Sequence, residues 1–457
     1  MMDKDSGQHP ASYRDPCGFV FRCEDIFCRA VLPAGLDDYE LLMQSGLYAR
    51  LQQEGLMIAH EEMEDCSPLP EASRILRPAQ LDFWSYPYEW SFRQLQEAAR
   101  ATLRLVRLGL EHGMMLKDAS AHNVQFIGGK PMLIDSLSFE RYEEGQPWQA
   151  FRQFCQHFLY PLLVFQKCPE LSPAFLMAYP DGISAQLTAS LLPWKSRLSW
   201  NNQLYVFLAV ALAKRQGKPQ PSIRISKQKI LQNVAQLEGY IRSLKLREAR
   251  PVWSNYYEET ILSAEYLESK KSTVAGLLQS LQPQRVIDAG CNTGSFSLLA
   301  AANAREVIAF DSDAASADAL WKQAATDGLR NLHVLVADLT NPTPALGWAN
   351  AERSALLERL RADMVLALAL VHHLAIGKNI PLSFLSALFA GMTEQWLLIE
   401  FVPKSDSKTQ LLLQARKDIF HDYSEAAFEA AFGEHFHIER RIALPHSERV
   451  LYLMRKL

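Results

Sequence analysis

Apolar positions along this chain follow two periods, and each period predicts a different kind of element. GFVF at 18–21 and DIFCRAV at 25–31 predict two short strands around a turn, and the stretch from Asp37 to Gly55 has the spacing of an amphipathic helix. Residues 91–112 repeat apolar positions at helical spacing, and Gly113 is typical of a helix end. VQFI, two glycines and PMLIDSL then predict a hairpin over 124–137.

The middle and the end of the chain differ in their patterns. Residues 151–250 are mostly helical in pattern and interrupted by prolines, and GKPQPS at 217–222 is the best linker candidate. From 252 onward, apolar runs alternate with helical segments, which predicts a parallel sheet covered by helices, and two strands joined by a turn end the chain. We therefore predict an α+β domain at 1–165, a helical extension and linker at 166–250, and an α/β domain at 251–457.

Composition adds class limits to this picture. With 457 residues, of which 48% are hydrophobic and 21% charged, the chain resembles average globular proteins and can form more than one core. The net charge of -4 gives no overall attraction to nucleic acid or to anionic membranes. Seven scattered cysteines without metal spacing predict reduced thiols. With no apolar stretch long enough for a transmembrane helix, we expect a cytoplasmic protein.

Candidate chemistry is concentrated in VIDAGCNTGSF at 286–296. A buried strand ends at Asp288, and Gly290 and Gly294 allow close approach of a ligand before a helix begins. Asp311 ends the next predicted strand, where a carboxylate can accept both ribose hydroxyls, and Asp338 ends the third. A nicotinamide enzyme is the rival interpretation, and both the third acidic strand end and the two terminal strands count against it.

These motifs resemble the class I S-adenosylmethionine-dependent methyltransferase family over roughly 250–457. The resemblance implies a Rossmann-like sheet of seven strands and S-adenosylmethionine as the cofactor. It also implies contacts of the first motif with the methionine part, of the second with ribose and of the third with adenine. The implied cofactor-binding residues are Asp288, Gly290, Asn292, Gly294, Asp311 and Asp338.

The end of the fourth predicted strand carries His372 and His373, and either ring is a candidate base for an acceptor hydroxyl. The Asn-Pro-Pro-aromatic sequence of amide-nitrogen methylating members is absent there, so DNA-base amine methylation is not expected and O-, C- or other N-acceptors stay open. Further candidates by position are Glu400, for acceptor contact, and Tyr256, Tyr257 and Lys271, for covering the cofactor.

LKDASAHN places Asp118 and Asn123 five residues apart, and Asp135 follows the next hairpin. Over roughly 18–165 this resembles the lobe of protein kinases and aminoglycoside phosphotransferases, which implies Asp118 orienting an acceptor hydroxyl and Asn123 and Asp135 holding Mg²⁺ with ATP. Leu116 replaces the usual histidine, Arg29 stands where the strand lysine is expected, and no glycine-rich loop is evident.

Together the motifs resemble a group of long bacterial methyltransferases that includes a rhizobial nodulation protein. The function expected is methylation, most simply O-methylation, of a small-molecule, glycan or lipid-linked acceptor, with the kinase-like lobe binding the acceptor or regulating the enzyme. A bifunctional kinase and methyltransferase acting on a cell-surface glycan, an RNA methyltransferase using the basic stretch at 214–250, and a scaffold without chemistry remain alternatives.

Overall fold

The computed structural model describes residues 7–23, 26–63, 71–168, 171, 173–213, 224–246, 264–414 and 418–457. The chain divides into two compact units. The first contains Met1–Glu248 and Ala345–Ser354, and the second contains Ala249–Pro344 and Ala355–Leu457. The predicted linker at 217–222 and the boundary at 250 lie outside the described residues.

The first unit mixes short strands with helices. Its strands are β1 Gly18–Cys23, β2 Ile26–Val31, β3 His60–Glu62, β4 Arg74–Pro78, β5 Met114–Leu116, β6 Val124–Ile127, β7 Lys130–Leu133 and β8 Phe139–Arg141. Its α-helices are α1 Pro33–Gln44, α2 Leu47–Glu54, α3 Phe92–Glu111, α4 Phe151–Phe154, α5 Tyr160–Lys167, α6 Ala185–Leu191, α7 Trp200–Asn202, α8 Leu208–Ala213 and α9 Lys227–Ser243. A π turn at Cys155–Leu159 joins α4 to α5, and another at Gln203–Phe207 joins α7 to α8.

A four-stranded antiparallel sheet in the order β1-β2-β4-β3 opens the first unit. The predicted hairpin is confirmed, with Gly18 opposite Val31 and Cys23 opposite Ile26. The single helix predicted from Asp37 to Gly55 is instead two helices, α1 and α2. The break falls at Gly46, which has a left-handed φ of 80°. Glycine adopts this conformation easily and is also unfavourable inside a helix, so the helix ends before it.

The long helix α3 is confirmed within one residue of its predicted ends. Ser91 caps it by accepting a hydrogen bond from the Gln94 backbone, while the Gln94 side chain accepts one from the Ser91 N–H, as in a capping box. Gly113 follows with a φ of 77°. The predicted hairpin is β6 and β7, which pair antiparallel around Gly128 and Gly129, both with positive φ.

The helices of the region predicted as an extension pack within the first unit. The Gln96 side chain on α3 donates to the carbonyl oxygens of Ile241 and Leu244, at 2.7 and 2.9 Å. These bonds hold the end of α9 against α3. The described helices of this region therefore belong to the same compact unit as α3.

A short segment from the other half of the sequence, Ala345–Ser354, also belongs to the first unit. Glu352 accepts hydrogen bonds from the Tyr13 hydroxyl at 2.6 Å and from the Arg14 guanidinium at 2.9 Å. The Ser354 N–H donates to the Tyr86 hydroxyl at 3.1 Å. The sequence pattern did not predict this exchange of chain between the two halves.

The second unit contains the larger sheet. Its strands are β9 Arg285–Ala289, β10 Glu306–Asp311, β11 Leu332–Val336, β12 Ala362–Ala367, β13 Thr393–Phe401, β14 Phe436–Ala443 and β15 Val450–Lys456. Its α-helices are α10 Ala264–Leu281, α11 Ser295–Ala301, α12 Ala314–Thr326, α13 Leu356–Arg359, α14 Leu382–Met392, α15 Ser407–Gln414 and α16 Glu425–Phe432.

The seven strands lie in the order β11-β10-β9-β12-β13-β15-β14. The first five are parallel, and β15 runs antiparallel to both β13 and β14. The central strands are buried on both faces, as expected for a parallel sheet covered by helices. The predicted α/β fold with a Rossmann-like sheet of seven strands is confirmed, and so are the two antiparallel strands that end the chain.

No helix in the described parts of the chain is both long and apolar enough to cross a bilayer. No disulfide joins any of the six cysteines that the structure describes, and Cys66 lies outside those residues.

Candidate functional site

The strand order in the sheet of the second unit reverses at β9, which has β10 on one side and β12 on the other. In open parallel sheets, ligands bind at the carboxyl ends of the strands at such a switch point, because the connections diverge there and leave a crevice. The turn after β9 and the ends of β10, β11 and β12 meet at this edge. This is the place where the predicted cofactor residues fall.

The turn after β9 is left-handed at Gly290 and at Asn292, whose φ values are 74° and 49°. The Asn292 N–H donates to Asp311 Oδ2 at 2.8 Å, and the Asn292 side-chain oxygen accepts from the Thr293 N–H at 2.7 Å. A β-carbon at position 290 would lie 3.1 Å from the Leu370 side chain. The turn is therefore fixed tightly against the ends of two neighbouring strands.

Three members of the motif face away from the crevice. Asp288 is buried and accepts a 2.6 Å hydrogen bond from the Ser297 hydroxyl, and burial raises the pKa of its carboxyl to about 6. Cys291 packs in the core, where burial raises the pKa of its thiol. Gly294 precedes α11, and a β-carbon there would overlap the Leu320 side chain. Asp288 and Gly294, both predicted as cofactor residues, support the turn from behind.

The two acidic strand ends face the crevice. Asp311 holds the turn through Asn292 and also accepts the Asp313 N–H at 2.8 Å, and burial raises the pKa of its carboxyl despite these bonds. Asp338 accepts both the backbone N–H and the hydroxyl of Thr340 at its Oδ1, each at 2.8 Å. Both carboxylates are thus oriented by their own loops before any ligand arrives.

These elements enclose a cavity of about 410 Å³. It is lined by Gly290, Asn292, Phe310, Asp311, Ser312, Ala337, Asp338, Leu339, Thr340, Leu368, Ala369, Leu370, His373, Leu374, Gly377, Lys378 and Leu412. Four of the six predicted cofactor residues, Gly290, Asn292, Asp311 and Asp338, are therefore brought together.

The two histidines after β12 have different surroundings. His373 lines the cavity, and burial lowers the pKa of its ring to about 4, so it is neutral at pH 7. His372 is fully buried and, among the residues that the structure describes, has no hydrogen-bond partner at either ring nitrogen; burial lowers its pKa well below the usual value. The chain reaches this arrangement through Ala369, whose φ of 53° is left-handed, and the π turn His373–Gly377. Both histidines were predicted as candidate bases, and of the two, both of which the structure describes, His373 lines the cavity and His372 does not.

Glu400 does not line the cavity. It is fully buried on β13, where the Lys270 ammonium lies 2.6 Å from its Oε2 and the Tyr266 hydroxyl donates to its Oε1 at 2.5 Å. Burial works to raise the pKa of Glu400, but the Lys270 and Arg449 cations outweigh it and the net pKa is lowered. Glu400, predicted to contact the acceptor, is thus a buried carboxylate whose two oxygens already bind Tyr266 and Lys270.

Lys271, predicted to cover the cofactor, is partly exposed and lies 3.4 Å from Glu268. Its neighbour Lys270 is the one that points inward. The other predicted covering residues, Tyr256 and Tyr257, lie outside the described residues.

In the first unit, the predicted magnesium ligands are near one another but already engaged. Asp135 pairs with the Arg29 guanidinium at 2.6 Å and accepts the Ser138 hydroxyl at 2.6 Å. The same hydroxyl is 3.5 Å from the Asn123 side-chain nitrogen. Asp118 accepts from the Gln153 side chain at 2.8 Å. A cation of the protein occupies the carboxylate on which Mg²⁺ would depend, and no cluster of His, Cys, Asp and Glu suited to a metal occurs among the described residues.

Most of the other lining residues were not singled out by sequence patterns, and three of them illustrate why. Phe310 sits one position before Asp311, the acidic end of β10, where its side chain follows the ordinary pattern of a buried strand residue. Lys378 lies five residues beyond His373, at the end of the π turn, and Leu412 comes from α15, far along the chain. For Lys378 and Leu412, no local signal distinguishes them from ordinary helix residues.

Comparison with known proteins identifies the family. The sequence model of the tellurite resistance protein TehB matches residues 254–345. The nodulation protein NoeA of Rhizobium meliloti (strain 1021) is 33% identical over 458 aligned residues, which cover 98% of this chain and 95% of NoeA. This chain belongs to the NoeA family.

Beyond that family, the sequence resemblance is shorter. The 23S rRNA (uracil(1939)-C(5))-methyltransferase RlmD of Pseudomonas fluorescens is 37% identical over 90 residues, 19% of this chain and 20% of RlmD. The crystal structure of the N-methyltransferase NodS from Bradyrhizobium japonicum WM9 overlaps 42% of this chain and 98% of its own, at 11% identity and a TM-score of 0.32.

Proposed function

We propose that this protein is an S-adenosylmethionine-dependent methyltransferase whose cofactor site is the cavity at the carboxyl edge of β9–β12. The observation that carries the proposal is the convergence of Asp311 and Asp338 with the turn at Gly290 and Asn292 in one crevice of about 410 Å³. The crevice is at the switch point of a seven-stranded sheet, where a nucleoside with a polar tail can bind.

The residues present fit that cofactor. The Asp311 carboxylate, held by two backbone N–H groups, suits the two hydroxyls of a ribose. Asp338, fixed by Thr340, suits the amino group of adenine. The Gly290 turn presents backbone without a side chain toward the methionine part, and Phe310 and Leu339 supply apolar contact for the base.

S-adenosylmethionine, held by Gly290, Asn292, Asp311 and Asp338, would supply a methyl group activated by its sulfonium sulfur for transfer to an acceptor oxygen. His373 receives the hydroxyl proton of the acceptor, because its ring lines the cavity and, with a pKa lowered to about 4 by burial, is neutral at pH 7. The proton then leaves to water. Lys378, which lies at the cavity and is exposed, orients an acceptor that carries an anionic or polar group.

The acceptor class that we propose is a hydroxyl on a small molecule, a glycan or a lipid-linked sugar. The short likeness to RlmD supports methyl transfer. The roles expected for the first unit, acceptor binding or regulation, stay predictions, as do a second kinase activity and RNA as the acceptor. The Arg29–Asp135 pair argues against magnesium-dependent chemistry in the first unit.

The cofactor proposal is tested by calorimetry with S-adenosylhomocysteine on the full chain. Asp311→Asn and Asp338→Ala each remove a charge-assisted hydrogen bond, and we expect affinity to fall roughly tenfold to a hundredfold. Asp327→Asn, an exposed aspartate at the end of α12, is the matched control and should bind like the wild type. Wild-type protein that does not bind the compound would rule the proposal out.

The role of His373 is tested separately from binding. His373→Ala should still bind S-adenosylhomocysteine, while its production from S-adenosylmethionine in the presence of fractionated cell extract falls roughly 10²- to 10⁴-fold. Equal turnover by wild type and variant would remove His373 from the mechanism and leave the cofactor site intact.

A further inference from the structure

Five large apolar side chains of the first unit, with Leu212 the last of them, are exposed within a short stretch of sequence. Trp194 and Trp200 are 70% and 75% exposed, and Leu198, between them, is 79% exposed. Leu208 on α8 is also exposed. Exposed apolar groups are ordinary when scattered, but a contiguous group with two tryptophans marks an interaction surface.

The structure makes this group continuous. The helical stretch from α7 through its π turn into α8 exposes Trp200, Leu208, Ala211 and Leu212 on one side, while Tyr205 and Val206 on the other side are buried. The Arg197 guanidinium lies 5.3 Å from the centre of the Phe207 ring, and the Arg197 carbonyl accepts from the Gln203 side chain. The turn at 194–198 therefore adjoins the exposed side of the helix. We call this surface, Trp194–Trp200 with the exposed side of α7–α8, the tryptophan patch.

The charge around the tryptophan patch is entirely positive along the sequence. From Gly182 to Leu237 the chain contains no aspartate or glutamate. The same stretch holds eight cationic residues, namely Lys195, Arg197, Lys214, Arg215, Lys218, Arg224, Lys227 and Lys229. Lys195 and Arg197 belong to the patch itself, and the Lys195 ammonium lies 5.9 Å from the Trp194 ring centre. This local excess contrasts with the net charge of -4 for the whole chain.

Tryptophans beside lysine and arginine, next to a helix with leucines on its outer side, have the chemistry of a membrane-interfacial surface. Indole rings favour the headgroup level of a bilayer, leucines enter the acyl boundary, and basic side chains are attracted to anionic lipid. We propose that the tryptophan patch docks this protein on the surface of an anionic lipid bilayer. The contact is peripheral, because no described helix can span the bilayer.

Two other occupants fit the same surface less well. Single-stranded RNA would stack its bases on the tryptophans and pair with the cations, but Leu198, Leu208 and Leu212 would gain nothing from it. A second copy of this chain, placed symmetrically, would bring the acid-free stretch against itself and repel. An anionic bilayer satisfies the indoles, the leucines and the cations together.

The test is sedimentation of the full chain with vesicles of phosphatidylcholine, alone or mixed with phosphatidylglycerol. We expect binding to the mixed vesicles that weakens with added salt. Lys195→Gln/Arg197→Gln should reduce partitioning about thirtyfold, and Trp194→Ser/Trp200→Ser should reduce it by at least roughly tenfold. Trp348→Ser and Phe384→Ser, which remove exposed apolar rings elsewhere, are the matched controls and should bind as the wild type does.

Three results would overturn the proposal. One is wild-type protein that stays in the supernatant with mixed vesicles. Another is a loss of vesicle binding in the control variants as large as in the patch variants. The third is a change of oligomeric state, or loss of RNA binding, in the patch variants without any vesicle binding. Because the residues of the patch are exposed, unchanged thermal unfolding of the variants separates loss of docking from loss of fold. Binding of S-adenosylhomocysteine is measured independently and does not bear on the outcome.

Discussion

The Lys270 ammonium lies 2.6 Å from Glu400 Oε2, and neither side chain reaches solvent. Burial lowers the pKa of Lys270, and Glu400 opposes that change. The pair joins α10 to β13 across 130 residues of sequence, so removing one partner leaves a buried ion without the group that pairs with it directly.

Lys270→Met should therefore lower the free energy of unfolding by about 3–5 kcal/mol, because it leaves Glu400 buried without its nearest cation. Lys271→Met is the matched control: its ammonium is partly exposed, lies 3.4 Å from Glu268 on its own helix, and should change stability by less than about 1 kcal/mol when removed. Urea titrations of both variants measure the difference. Similar losses for both would show that the pair is not the cause.

Gly294→Ala should destabilise the second unit by about 1–3 kcal/mol, because its β-carbon would lie 2.1 Å from the Leu320 side chain at a φ of 87°. Gly328→Ala has a φ of 69° but no atom within 4 Å of its β-carbon, so it isolates the backbone strain. The overlap predicts the larger loss at position 294. Since Gly294 does not line the cavity, calorimetry at low temperature should show S-adenosylhomocysteine affinity largely kept, and a loss as large as that of Asp311→Asn would contradict this.

His372→Phe should make stability less sensitive to acid. Burial holds the pKa of His372 below that of the unfolded chain, so only the unfolded state gains this proton as pH falls below about 6.5, and stability is lost in that direction. Removing the group should reduce the loss between pH 6 and pH 5 by about 1 kcal/mol. Urea titrations at the two pH values check this. His437→Phe, which replaces a largely exposed ring, is the surface control.

Arg29→Met should destabilise the first unit by roughly 2–4 kcal/mol, because Asp135 and Asp15 share this guanidinium at 2.6 and 3.1 Å and all three are largely buried. Arg74→Met, whose pairs with Glu40 and Glu62 are exposed, should cost less than about 1 kcal/mol. Thermal unfolding compares the two. Magnesium with ATP should leave the wild-type melting temperature unchanged, and an increase would revive the kinase prediction.

The sequence predicted the larger sheet because each of its parallel strands contains a continuous apolar run, and parallel strands put their carboxyl ends at one edge. Asp311 and Asp338 could be placed for that reason. The contact between Asp288 and Ser297 could not be predicted from the sequence. An acidic residue at the end of a buried strand looks the same whether it binds a ligand or a neighbouring hydroxyl. Which histidine faces the cavity depends on the left-handed Ala369 and on a π turn, which have no clear apolar period.

Contacts between residues far apart in the sequence could not be predicted from local patterns. Glu400 looks like any acidic strand end until Lys270 and Tyr266 are seen beside it. The break of the first predicted helix at Gly46 was accessible in principle, since the glycine is visible in the sequence. It was missed because apolar spacing continues through it.

Because the ten residues Ala345–Ser354 belong to the first unit, we do not expect either half of the sequence to fold independently. A chain cut at 248 keeps Tyr13 and Arg14 but loses Glu352, so the tyrosine hydroxyl and the guanidinium lose their shared acceptor. Truncation at this boundary is thus expected to give fragments that misfold, because the first unit lacks the segment Ala345–Ser354. Supplying that peptide in trans, or grafting it onto the shortened chain, is the route to studying the first unit alone.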